Sequence, residues 1–161
     1  MMPRSRKQVF NVWLEASGKE GADLEEALRM NSLGHFLQRF ADEASFFGAL
    51  QEMDRDVPSF PNLFMYLMSS PDAPVENFFR QLKTVADCRH IPVIVFHAAG
   101  ISPNVKRLYA LGAASVIRVP IRFDGLVEVM RTIEDYWFNV AAAPPTDGVL
   151  TACRISDLKG A

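Results

Sequence analysis

The stretch PNLFMYLMSSP, Pro61 to Pro71, decides how the chain folds. Leu63 to Met68 are apolar without interruption, so a strand here is buried on both faces, as inside a parallel sheet. The run is too short for an ordinary helix, and prolines and serines close its two ends. Working outward, IPVIVF (Ile91 to Phe96) has the same continuous, β-branched character. QVFNVWL (Gln8 to Leu14) and ASVIRV (Ala114 to Val119) read the same way, the first broken by EASGKEG and the second by Pro120. HFLQRF (His35 to Phe40) supplies one more, less continuous strand.

Helical patterns separate these runs. Ala22 to Asn31 is rich in good helix formers, with Leu24, Ala27 and Leu28 on one side. DEASFFGALQEM opens on Asp42 as an N-cap, and Val75, Phe78, Phe79, Leu82 and Val85 recur at helical spacing within Ala73 to Cys88. SPNVKRLYALG places Ser102 as N-cap, Pro103 at the first helical position and Gly112 as the stop. FDGLVEVMRTIEDYWFNVA forms the longest helix. Strand and helix thus alternate five times, which predicts an α/β fold of flavodoxin-like (βα)5 type. It is a three-layer sandwich around a parallel sheet of order 2-1-3-4-5. The functional end of such a sheet is the carboxyl end of its strands, which here means Glu15, Ala16, Leu67, His97 and Val119.

The 161 residues suit one domain: a short extension over 1–7, the folded unit over 8–141, and a tail rich in proline and glycine over 142–161. A net charge of −2 gives no electrostatic footprint for nucleic acid. No apolar run is long enough to span a bilayer and no signal-peptide pattern opens the chain, so a cytoplasmic protein is expected. Cys88 and Cys153 have no metal-ligand spacing, and no phosphate loop or catalytic pairing stands out. No metal, cofactor or enzymatic activity is expected.

The second half, IPVIVFHAAG…VKRLYALGAASVIRVPIRFDGLVEVMRTIEDYW, resembles response-regulator receiver domains. It is closest in character to the single-domain regulators that pair with bacterial phytochromes. Over the first half the likeness is one of layout, and together it covers about Gln8 to Val140. The resemblance implies two acids after the first strand, at Glu15 and Ala16, that help hold magnesium. It implies a phosphoacceptor aspartate at Leu67 with a proline at Pro71, a Thr or Ser at His97, a lysine at Val119 followed by Pro120, and an aromatic switch residue at Val116. The two prolines are present, but of the side chains that carry the chemistry only Glu15 meets these requirements. A hydrocarbon at Leu67 cannot act as a nucleophile, one carboxylate is too few for magnesium, and Val119 offers no cation. The expected protein is a degenerate receiver, acting without phosphoryl transfer as an interaction or scaffold module in two-component-type signalling. Its partner would be a kinase, regulator or output protein.

An alternative keeps the same fold but makes the emptied pocket around Glu15, Leu67 and His97 a small-molecule sensor. His97 would be a titratable ligand group in that reading, and a packing residue otherwise. Glu15 is read as a surface-facing remnant of the acid pair. Ser69, Ser70 and Asp72 are ordinary turn residues. In the last helix Leu126, Met130, Ile133, Trp137 and Val140 form the stripe that faces the sheet. Phe123, Val127 and Phe138 flank it on one side, and Val129 and Tyr136 on the other. The apolar arc, roughly 200° wide, exceeds what one buried face needs. Val127, Tyr136 and Phe138 are therefore the candidate interface, with a homodimer as the expected assembly.

Overall fold

A strand that is apolar throughout must be enclosed on both sides, and helices on each face of one sheet provide that cover. The computed structural model describes residues 10–31, 36–85, 88 and 90–136. Among them run β1 (Asn11–Glu15), α1 (Gly18–Asn31), β2 (Phe36–Phe40), α2 (Glu43–Glu52), β3 (Leu63–Met68), α3 (Val75–Thr84), β4 (Val93–His97), α4 (Val105–Leu111), β5 (Ser115–Arg118) and α5 (Phe123–Ile133). The sheet is parallel, in the order β2-β1-β3-β4-β5. The expected architecture is therefore the observed one.

The two faces of the sheet differ in chemistry. On one, α2, α3 and α4 cover Trp13, Phe40, Phe64, Tyr66, Met68, Val93 and Val95. Phe46 of α2 is the hub of that side, with ring centroids 5.6 Å from Trp13, 5.5 Å from Phe40, 5.4 Å from Phe64 and 5.2 Å from Phe78. These edge-to-face contacts add to the stabilisation from the area that the rings bury. On the other face α1 and α5 lay Leu24, Ala27, Leu28, Leu126, Met130 and Ile133 over Val12, Leu14, Leu63, Met65, Ile94 and Phe96.

Several ends differ from the sequence expectation. The N-cap of α4 is Asn104, whose side chain accepts from the Arg107 amide at 3.0 Å, so Ser102 and Pro103 lie outside the helix. Gly112 does end it, at φ 122, a conformation that a side chain would strain. Asp42 caps α2 as expected, accepting from the Ser45 amide at 2.8 Å. The helix α3 is shorter than Ala73 to Cys88, and α1 begins earlier, at Gly18. The stripe of α5 is buried at Leu126, Met130 and Ile133, and a wider π turn follows over Glu134, Asp135 and Tyr136. Trp137, Phe138, Val140, the extension over 1–7 and the tail over 142–161 lie outside the described residues.

Gly21 sets how closely α1 can approach the end of β1. A Cβ there would stand 2.8 Å from the Ala16 carbonyl carbon and 2.9 Å from its oxygen, both backbone atoms that cannot step aside. Glycine-to-alanine changes inside helices ordinarily stabilise by about 1 kcal/mol. Gly21→Ala is expected to do the reverse, lowering stability by about 1–3 kcal/mol in chemical denaturation.

Candidate functional site

Parallel pairing brings the last residues of the strands into one row. Glu15, the last residue of β1, pairs with Phe40 and Tyr66. Leu67 pairs with Phe96, Met68 with His97, and His97 with Arg118. The ladder continues past the strand ends: the Ala98 amide donates to the Met68 carbonyl at 3.0 Å and the Val119 amide to that of His97 at 2.9 Å. All the candidate positions therefore converge on the carboxyl edge, but side-chain alternation divides them between the two faces.

Ala16, Leu67 and Val119 fall on the α1/α5 face, in one buried apolar cluster with Leu14 and Phe96. Leu67 is only 4 % exposed, so hydrocarbon fills this position. Pro120 follows Val119 and packs on the first turn of α5. A Cβ on Gly125 would meet the Pro120 ring at 3.2 Å. Ala16 is tied into the backbone by its amide, which donates to Phe40 at 2.9 Å, and by its carbonyl, which accepts from Arg39 Nη1 at 3.0 Å.

Glu15 and His97 alternate to the opposite face, so they do not belong to the Leu67 cluster. Nor is Glu15 surface-facing. It is only 7 % exposed, closed in beneath α2 beside Tyr66. Burial, reinforced by the nearby charges of Glu43 and Asp42, raises its pKa from an ordinary 4.5 to about 7. Glu43 is also pushed up by burial. Its Oε1 accepts from Asn77 at 3.0 Å and Gln81 at 3.1 Å, while its buried Oε2 has no hydrogen-bond partner. Burial, then the two carboxylates Glu15 and Glu43, hold the Tyr66 phenol protonated far above its usual range. His97 is half-buried, and its Nδ1 is enclosed without a partner.

Sequence reasoning took Asp42 only as a helix cap and passed over Glu43 and Tyr66. The available signal was an acidic pair directly after β2, which the fold places at the same edge as Glu15. No group of three or more His, Cys, Asp or Glu side chains among the described residues is arranged to hold a metal ion. No helix among them is long and apolar enough to cross a membrane.

No protein-family model and no curated protein matches the chain. Solved structures do. The phosphorylated cyanobacterial phytochrome response regulator RcpA superposes with a TM-score of 0.71 at 20% identity, covering 86% of this chain and all of that one. RPA3017, a response regulator in red light signalling of R. palustris, gives 0.68 at 20% identity, over 83% of this chain and 98% of that one. The Mn(2+)-bound form of response regulator Rcp1 gives 0.67 at 21% identity, over 84% and 99%. The chain has the receiver-domain fold of two-component response regulators.

The buried acid makes stability depend on pH in an unusual direction. Glu15 binds a proton more tightly folded than unfolded, so its contribution is greatest below about pH 4.5 and declines as pH rises through about 7. Glu15→Gln is expected to flatten this slope and to stabilise the fold by about 2–3 kcal/mol near pH 8, as read by urea denaturation across pH.

Proposed function

We propose that this chain is a receiver-fold module that works without phosphoryl transfer, binding a protein partner constitutively in two-component-type signalling. One observation carries the reading: Ala16, Leu67 and Val119 pack into a single apolar cluster at the carboxyl edge. These are the positions where the receiver resemblance calls for an acid, the acceptor aspartate and the lysine. A buried aliphatic cluster has no nucleophile to accept a phosphoryl group, no oxygen to ligate magnesium and no cation to meet the transferred charge. Glu15, enclosed on the other face, supplies one carboxyl group of reduced acidity. RcpA, Rcp1 and RPA3017 are response regulators by name, which favours the same signalling context here.

Without chemistry, the function resides in a surface. Among the described residues around α5 the exposed apolar side chains are Ile121, Phe123 and Tyr136, the first of them 84 % exposed, and Val127 is half-buried beside them. A concavity of about 890 Å³ between Arg118, Pro120, Arg122 and Glu128 adjoins Ile121. Apolar side chains rimmed by charges of both signs suit a protein partner. The same surface on a second copy would make an isologous homodimer.

Incubation with acetyl phosphate and magnesium is expected to leave the intact mass unchanged, and a stable phosphoprotein would overturn the reading. Leu67→Asp is expected to leave phosphorylation absent, since Ala16 and Val119 stay as they are. It should also destabilise the fold by about 3 kcal/mol or more through an unpaired buried carboxylate. Tyr136→Glu is expected to weaken association measured by sedimentation while the circular dichroism spectrum is kept. Association indifferent to that change would remove α5 from the interface.

A further inference from the structure

An open parallel sheet ends in two edge strands, each presenting unpaired backbone groups that can recruit a strand from another chain. Here the edges are β2 and β5. At β2, Phe36 donates to Phe10 and Phe40 accepts from Ala16, so those residues face β1. By alternation Leu37 and Arg39 turn their backbone groups outward. At β5, the Val119 amide bonds to His97 and faces β4, which leaves Val116 and Arg118 facing outward.

One outward group on each edge is occupied by a side chain from the neighbouring helix. Arg29 of α1 donates from Nη2 to the Leu37 carbonyl at 3.0 Å. The Val116 amide donates to the Tyr109 hydroxyl of α4 at 3.2 Å. Arg29 is itself held by Glu25, through Nη2 at 2.8 Å and Nε at 3.2 Å, and Glu25 is held in turn by Arg39 at 2.7 Å. The second outward residue on each edge is an arginine: Arg118 is exposed, while Arg39 is paired with Glu25 and donates to the Ala16 carbonyl. One device, a helix side chain bonded to an outward backbone group, thus recurs on strands that share no contact.

We propose that Arg29 and Tyr109 are edge guards: each occupies the backbone group that an incoming strand would need, so that association is confined to the helical faces. The unwanted occupant is an extended strand from a second copy, whose ladder would lose one hydrogen bond at each end of the sheet.

The test uses the full chain with Tyr109→Phe, which keeps the ring and removes the acceptor, and the double variant Arg29→Met/Tyr109→Phe. Two readouts are compared with wild type: amide hydrogen exchange at Val116 against the inward-facing Ile117, and particle size over a concentration series. Tyr109→Phe is expected to speed exchange at Val116 by about threefold to tenfold, the value of one exposed hydrogen bond, and to leave Ile117 within about twofold. The double variant is expected to form larger species at concentrations where wild type does not. Association through α5 is common to wild type and variants, so only the excess counts. Unchanged protection at Val116 overturns the proposal. Lost protection without larger species overturns it as well, leaving two ordinary structural bonds.

Discussion

The fold depends on enclosing β3. Its residues Leu63–Met68 are all buried, and it is paired on one side with β1 and on the other with β4. A strand in that position has little access to water for its backbone or for either row of side chains, so most of its neighbours are apolar. That requirement selects helices for both faces, sets the parallel crossovers, and fills the strand ends with Met68, Leu67 and Phe96. A carboxylate at Leu67 would need a cation or several donors to survive there, and Ala16 and Val119 offer neither. The hydrocarbon-filled strand end and the fold therefore follow from one packing arrangement.

The order of elements was legible because each strand is a short apolar run and each helix shows its own period. What stayed hidden was the face to which each end residue points. Strands that are apolar at every position carry no polar alternation, so Glu15 and Ala16 look equivalent in sequence although the fold sends them to opposite sides. The burial of Glu15 was also hidden. The raised pKa that burial gives it is reinforced by Glu43 and Asp42, which arrive from a different strand–helix unit. At α4, Ser102–Pro103 and Asn104 both resemble helix starts. Asn104 prevails because its side chain reaches the Arg107 amide.

The carboxyl edge keeps one polar feature that the apolar cluster does not explain. Glu15, Glu43 and Tyr66 lie on the aromatic face, with Asn77 and Gln81 of α3 satisfying half of the Glu43 carboxyl group. A protonated Glu15 lessens the repulsion from Glu43 that would otherwise oppose the docking of α2. The packing of β1 against α2 thus brings together two carboxyl groups whose pKa values are both raised by burial.

The contrast between the two faces has a mutational consequence. The side under α2 and α3 contains nine buried aromatic rings among the described residues, while the side under α1 and α5 contains two, Phe10 and Phe96. Rigid planar rings meshed around Phe46 leave few alternative packings, whereas branched aliphatic side chains exchange for one another at small cost. Single substitutions between aliphatic residues should accordingly be tolerated more readily beneath α1 and α5 than changes to the rings beneath α2 and α3.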